Sequence, residues 1–226
     1  DFRKEFGFRW ESRTPGGMDD NLVAGYAPVL EKSTEAPFVA MRLKSLNNNI
    51  RLTTLAYRFK PLEFPRVNAQ FKVVKAVPGA DPAKGAGNLN DSAFQIWFML
   101  RESNSKAVRM FGYYWADERS RGLRPVGSIV EAGWSRRNFL VFTLPEAYLM
   151  AIGGGRERLS QWQSIDRNLA EDLAKAFPNV DPKALEVVGI TIQADTDSLK
   201  AESEAWFRQL SIQPASAPGP SPSAGR

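Results

Sequence analysis

Apolar side chains alternate with a period of two residues between about residues 38 and 144, and this pattern limits the fold more than any other feature. The clearest segment runs from residue 92 to residue 101. Four large apolar side chains share one of its faces: Phe94, Ile96, Phe98 and Leu100. Trp97 and Met99 lie on the opposite face, which predicts a central strand that is covered on both sides.

Several other segments have the same short, apolar character. They cover residues 50–59, 67–77, 108–115, 138–144, 187–194 and 205–212. Turn-forming residues such as Pro78 and Gly79 separate them. Seven or more strands at this spacing predict an all-β fold, an antiparallel β-sandwich of jelly-roll type with one or two peripheral α-helices.

Residues 160–177 depart from the period of two. Their apolar residues step by three or four positions: Trp162, Ile165, Leu169, Leu173 and Phe177. Ser160 and Gln163 match a capping box, and Pro178 supplies a stop. The pattern predicts an amphipathic helix over residues 160–177 that covers an edge of the sandwich.

The composition divides the chain into three parts. Residues 38–213 form the predicted sandwich domain, preceded by an extended segment, residues 1–37, that packs on the sandwich or on a partner. Residues 214–226 form a tail rich in Pro and Ser that lacks any large apolar residue. The chain begins at Asp1 rather than Met, which favours an exported chain whose targeting peptide has been removed. No apolar run is long enough for a transmembrane segment.

Missing residue types exclude much of the usual chemistry. The chain has no His and no Cys, which removes the imidazole base, the thiol nucleophile and Cys/His metal sites. Its glycine runs lack the other residues of dinucleotide-binding or phosphate-binding loops. A net charge of +5 is too small to indicate nucleic-acid binding. The sequence therefore predicts that the protein is not an enzyme and needs no cofactor other than a structural metal.

The C-terminal third has distinctive motifs. They are Trp162 with Arg167, Asn168, Leu169, Asp172 and Phe177, then residues 188–192 with Asp195 and Asp197, then Ala205, Trp206 and Phe207. With these motifs the chain resembles, over about residues 38–212, a bacterial family of uncharacterised proteins called domain of unknown function 3047. It is similar to the galactose-binding-like jelly rolls of carbohydrate-binding modules. The resemblance implies a jelly-roll fold and a periplasmic or extracellular location, and it brings no catalytic signature.

Acidic residues suggest a metal site. Asp195 and Asp197 are two positions apart, so both project to one face if the strand continues through them. Together with Asn90 and Asp91 they offer the oxygen ligands that calcium prefers, and the resembled modules often hold a structural calcium. Two alternatives stay open: the aspartates are turn-forming residues that end a strand, or they are a glycosidase pair.

Aromatic residues suggest a stacking surface for sugar rings. Tyr113, Tyr114 and Trp115 are consecutive, and Trp134 follows. Alternation sends Tyr114 to one face and its two neighbours to the other, so at least one face is buried. Tyr114, Trp115 and Trp134 are the candidates for ligand stacking.

Arginines cluster in predicted loops beside one of these aromatics. The candidate partner-binding residues are Arg119, Arg121, Arg124, Trp134, Arg136 and Arg137. Arg and Trp are common in protein interfaces, and Arg also binds anionic headgroups. The first hypothesis is an extracytoplasmic interaction module, an accessory or scaffold subunit that contacts other protein subunits, including ones at a membrane surface. The alternative is a carbohydrate-binding module with a structural calcium, and the third is a hydrolase with an all-carboxylate metal site.

Overall fold

The computed structural model describes ten stretches of the chain. They are residues 9–12, 25–31, 38–47, 49–55, 57–80, 82, 91–103, 108–116, 124–136 and 144–215. The strands are β1 (Arg9–Ser12), β2 (Gly25–Glu31), β3 (Phe38–Leu46), β4 (Asn49–Thr54), β5 (Arg66–Lys75), β6 (Ser92–Glu102), β7 (Val108–Ala116), β8 (Ile129–Glu131), β9 (Glu146–Gly154), β10 (Gln163–Asn168), β11 (Leu185–Asp195) and β12 (Glu202–Gln213). The α-helix in these stretches is α1 (Leu169–Ala176), and Arg156–Arg158 and Pro182–Ala184 form short 3-10 turns.

The strands form two packed sheets. The seven-stranded sheet has the order β1-β4-β11-β6-β7-β9-β8, and the five-stranded sheet has the order β10-β5-β12-β3-β2. All neighbours are antiparallel except β7 and β9, which are parallel. The chain passes repeatedly from one sheet to the other, as in jelly-roll sandwiches. The predicted antiparallel β-sandwich with a peripheral helix is confirmed.

The main core lies between the sheets. Phe71 of β5 stacks on Phe94 of β6, with ring centroids 4.6 Å apart and planes within 4°, which joins the two layers. Trp115 of β7 meets the ring of Phe71 edge-on, with centroids 6.1 Å apart. All three side chains are buried. Burying rings of this size contributes about 1.5–3 kcal/mol each.

A second apolar cluster covers the outer face of the seven-stranded sheet. Trp97 and Tyr114 are buried there with Leu149 and several alanines, and Trp134 packs against them. β6 lies at the centre of its sheet, and its even-numbered residues from Phe94 to Leu100 face the main core. The prediction that this strand is central and covered on both sides is confirmed.

The helix predicted over residues 160–177 is wrong in its first half. Residues 163–168 form strand β10, which pairs with β5, and the helix begins at Leu169. Asn168 is its N-cap, since its side chain accepts the backbone N–H of Glu171 and donates to the Glu171 carboxylate. The predicted capping box at Ser160 and Gln163 is therefore not formed, whereas the helix does end just before Pro178.

The N-terminal segment contributes to both sheets. Strand β1 pairs with β4, and strand β2 pairs with β3. Residues 216–226 of the predicted tail, like residues 138–143 of one predicted strand, lie outside the described residues. Strand β9, absent from the sequence prediction, lies between β7 and β8. Within the described stretches, no helix has the length and apolar character that crossing a membrane would require.

Candidate functional site

A groove of about 560 Å³ lies on the outer face of the seven-stranded sheet. Alternation along β4 and β11 creates it: Ile50 and Leu52 of β4 and Ile190 and Ile192 of β11 point into the main core. The intervening side chains point outward and line the groove. They are Asn49, Arg51 and Thr53 of β4 and Thr191, Gln193 and Asp195 of β11. The groove is in the volume range of small-molecule binding sites.

Hydrogen bonds order the floor of the groove. The hydroxyl groups of Thr53 and Thr191, which are opposite each other on paired strands, lie 2.9 Å apart. The Arg51 guanidinium donates from Nε to Oδ1 of Asn49 over 2.8 Å. Gln193 donates from Nε2 to Oδ2 of Asp195 over 3.1 Å. The groove therefore presents fixed amide, hydroxyl and carboxylate groups rather than mobile ones.

Two tryptophans form the apolar wall. The rings of Trp97 and Trp134 have centroids 5.5 Å apart with planes tilted by 51°. Trp97 is buried and is oriented by its indole N–H, which donates to Oε1 of Gln95 over 2.6 Å. Trp134 is half-buried and lines the groove beside Leu144 and Pro145. It is the aromatic side chain that offers part of its surface to a ligand here.

Gly112 of β7 allows Trp97 to lie against the sheet. A Cβ atom at this position would lie 2.8 Å from Cε3 of Trp97 and 2.8 Å from Cδ2 of Leu149. A side chain at this position would therefore force Trp97 and Leu149 to move. Trp97 can therefore form the wall of the groove only because Gly112 has no side chain.

Three carboxylates converge at one end of the groove. One oxygen each of Asp91, Asp195 and Asp197 lies within 4.8 Å of the others, and Asp195 and Asp197 also line the groove. The pairing of Asp195 with Ser92 across β11 and β6 brings Asp91 to this position. The sequence analysis named these three aspartates as candidate metal ligands, and the fourth candidate, Asn90, lies outside the described residues.

Burial dominates the electrostatics of this cluster. Burial holds the pKa of Asp195 well above its usual range, and the charges of Asp197 and Asp91 add to the shift. Burial also raises the pKa of Asp91, against the hydrogen bonds that its oxygens accept from the backbone N–H groups of Leu199, at 2.8 Å, and Ser198, at 3.1 Å. Asp197 is exposed. The cluster therefore ionises fully only at a cost in free energy.

Two of the predicted stacking residues are core residues, and this part of the prediction is wrong. Tyr114 and Trp115 are each only 1% exposed. Tyr114 lies in the cluster on the outer face and Trp115 lies in the main core, because both faces of β7 are covered. Trp134 is the member of the predicted set that reaches the groove.

The predicted arginine surface is described only in part. Arg119, Arg121 and Arg137 lie outside the described residues. Arg136 is exposed and donates from Nε and Nη2 to Oε1 of Glu131, at 2.9 and 2.7 Å. Arg124 is half-buried. Partner binding by this surface stays a prediction.

A hydrogen-bonded network outside the groove joins helix α1 to one strand of each sheet. The phenol of Tyr113 donates to Oδ2 of Asp172 over 2.9 Å, and Nε of Arg167 donates to the same oxygen over 2.9 Å. Burial and the Asp172 charge raise the pKa of Tyr113 well above its usual value. Sequence reasoning missed this network, because its three members come from β7, β10 and α1.

The chain matches the family described as "Protein of unknown function (DUF3047)" over residues 40–211. The protein belongs to this family. The predicted resemblance is therefore confirmed, and the match includes the groove strands β4, β6, β7 and β11. No curated protein matches the chain.

Solved structures similar to the chain include glycoside hydrolases. A family 12 xyloglucanase from Bacillus licheniformis is 10% identical with a TM-score of 0.43, covering 86% of this chain and 88% of that chain. The Humicola grisea Cel12A catalytic domain is 8% identical with a TM-score of 0.41, covering 84% and 87%. Trichoderma harzianum endoglucanase 3 is 7% identical with a TM-score of 0.41, covering 92% and 99%.

These similarities contradict one prediction. The sequence predicted that the protein is not an enzyme, whereas the similar structures named above are enzymes. The prediction that the protein is not an enzyme is therefore contradicted by these similarities. Identities this low carry over neither a substrate nor the role of any residue.

Proposed function

We propose that the groove on the outer face of the seven-stranded sheet binds a carbohydrate chain. The observation that carries the proposal is a floor of buried polar side chains beside a half-buried tryptophan. Asn49, Thr191 and Gln193 are almost fully buried from solvent yet line the groove. Polar groups placed in this way are positioned for the hydroxyl groups of a ligand.

The two sides of the groove match the two kinds of surface on a sugar. Ring hydroxyls both donate and accept hydrogen bonds, and the floor offers amide, guanidinium and carboxylate groups for both roles. The apolar face of a pyranose ring packs on flat aromatic surfaces such as the indole of Trp134. An exported location, which the sequence predicts, would bring the protein into contact with such polymers, and cell fractionation tests that location.

The scaffold-subunit hypothesis has less support from the described residues. It depends on an arginine surface of which three members lie outside those residues. Arg136, the exposed member, already contacts Glu131 and Glu146 within the chain. The groove therefore supports the carbohydrate hypothesis better.

Isothermal titration with cellohexaose, xylohexaose, chitohexaose and maltohexaose tests the proposal. At least one is expected to bind the wild type saturably. Trp134→Ala should weaken that binding tenfold or more, since a tenfold loss corresponds to about 1.4 kcal/mol and an indole buries a large apolar surface. Trp206→Ala, which truncates a half-buried indole on the five-stranded sheet, is the matched control and should leave binding unchanged.

Two results would contradict the proposal. One is the absence of binding to the wild type at millimolar concentrations of all four sugars. The other is equal affinity in wild type and Trp134→Ala. The titrated samples are also assayed for new reducing ends, which would show that the protein hydrolyses the bound sugar.

A further inference from the structure

The carboxylate cluster at the end of the groove comes from two separate parts of the chain. Asp91 immediately precedes β6, while Asp195 ends β11 and Asp197 follows it. The two parts are held together by the strand register and by the bonds from Ser198 and Leu199 to Asp91. The convergence is thus built into the sheet and does not depend on one loop.

Asp195 provides a separate sign that a ligand belongs here. The residue is 96% buried, since only 4% of its surface is exposed, and its Oδ1 has no hydrogen-bond partner among the described residues. Its other oxygen is held by Gln193, so the orientation of the side chain is fixed. Leaving a buried carboxylate oxygen without a partner is energetically unfavourable, and a bound cation would satisfy it.

Charge in the cluster is unbalanced. Three carboxylates carry a charge of −3 when ionised, and among the described residues the cation whose charge lowers the pKa of Asp195 is Arg51. One guanidinium offsets one of the three charges, which leaves a formal charge of −2. A divalent cation would neutralise that charge.

We propose that Asp91, Asp195 and Asp197 bind one calcium ion at the end of the groove. Calcium takes oxygen ligands at about 2.3–2.6 Å, so two ligands on opposite sides of the ion are about 4.6–5.2 Å apart. The 4.8 Å within which the three oxygens lie matches that limit. Calcium also accepts irregular ligand sets, whereas magnesium demands a near-ideal octahedron and retains its water.

The proposed ion lies at the end of the same groove as the proposed carbohydrate. Asp195 and Asp197 line that groove, so a bound calcium has coordination positions that face it. The calcium site is nevertheless tested on the protein alone. Its outcome is therefore separate from that of the carbohydrate proposal.

Calcium titration of the full chain after treatment with a chelator is the test. Isothermal titration should show one saturable site, and the melting temperature should rise with calcium concentration, as for any ligand that binds the folded state. Magnesium at the same concentration should give a smaller shift. A melting temperature that is the same in chelator and in millimolar calcium overturns the proposal.

Asp197→Asn is the main variant, because Asp197 is exposed and its replacement leaves the core intact. It should weaken calcium binding at least tenfold while the variant melts at or above the wild-type temperature in chelator, since one repulsive charge has been removed. Asp166→Asn, on the exposed edge of the other sheet, is the matched control and should bind calcium like the wild type. Wild-type affinity in Asp197→Asn would contradict the assignment.

Trp134→Ala separates the two proposals. It removes one of the two tryptophans of the apolar wall and leaves all three carboxylates in place, so calcium binding should be unchanged while sugar binding is weakened. Loss of calcium binding in this variant, with its fold intact by circular dichroism, would contradict the assignment of the ion to the three aspartates.

Discussion

Tyr113→Phe should destabilise the protein at neutral pH, and the size of the effect should fall as the pH rises above 10. The variant removes the phenol that donates to the buried carboxylate of Asp172 over 2.9 Å. Hydrogen bonds to charged groups contribute about 1.5–3 kcal/mol. Arg167 continues to donate to both oxygens of Asp172, so the carboxylate stays paired and the helix stays attached.

The pH dependence follows from the raised pKa of Tyr113. In the unfolded chain the phenol ionises near its ordinary pKa of 10, whereas in the folded protein it stays protonated. The wild type therefore has its full stability below pH 10 and loses about 1.4 kcal/mol for each pH unit above it. Phenylalanine cannot ionise, so this loss is absent from the variant. The difference in free energy of unfolding between the two proteins therefore becomes smaller above pH 10.

Urea unfolding followed by far-UV circular dichroism at pH 7.5, 10 and 11 measures the gap, that is, the difference in free energy of unfolding between wild type and Tyr113→Phe. The gap at pH 11 should be about 1 kcal/mol smaller than at pH 10. Tyr57→Phe, at a tyrosine that is 41% exposed, controls for the loss of a surface hydroxyl and should change stability by less than about 0.5 kcal/mol at pH 7.5. A gap between wild type and Tyr113→Phe that stays constant or widens from pH 10 to pH 11 would refute the assignment of a protonated buried phenol.

Two further predictions concern the wall of the groove and the helix. Gly112→Ala should cost about 1–3 kcal/mol and alter the near-ultraviolet circular dichroism of Trp97, because the new methyl group would lie 2.8 Å from its ring. An unchanged spectrum would show that the indole does not lie against this position. Asn168→Ala should lower the free energy of unfolding by about 1 kcal/mol through loss of the N-cap bond to Glu171. Asn168→Asp should retain most of that stability, and equal stability of Asn168→Ala and wild type would argue against a cap.

The sequence could predict the sandwich because its strands carry their own signal. Successive residues of a strand point to opposite faces of its sheet, and the even-numbered residues from Phe94 to Leu100 all face the main core. The same rule could not determine which outer faces are covered. Tyr114 appeared available for a ligand because nothing local to it shows that residues 130–134 and 147–151 cover the outer face of β7.

The error over residues 160–177 has a specific physical cause. Ile165 is buried on a strand and Leu169 is buried on the helix that follows. Their separation of four residues is the same as that between neighbouring side chains on one face of a helix. The local signal that distinguishes the two elements is Asn168 followed by Glu171, a better cap than Ser160 with Gln163 because it directly precedes the first buried helical residue.

Residue spacing predicts the acidic cluster only in part. Spacing alone placed Asp195 and Asp197 on a common face, but strand β11 ends at Asp195, so the two meet through a turn and not through strand alternation. Asp91 joins them because β11 pairs with β6 with an irregularity between Gln193 and Asp195, which no pattern in the sequence encodes. The sheet register therefore adds Asp91 to the two neighbouring aspartates. It also places the three-carboxylate cluster at the end of the groove, where a ligand can reach it.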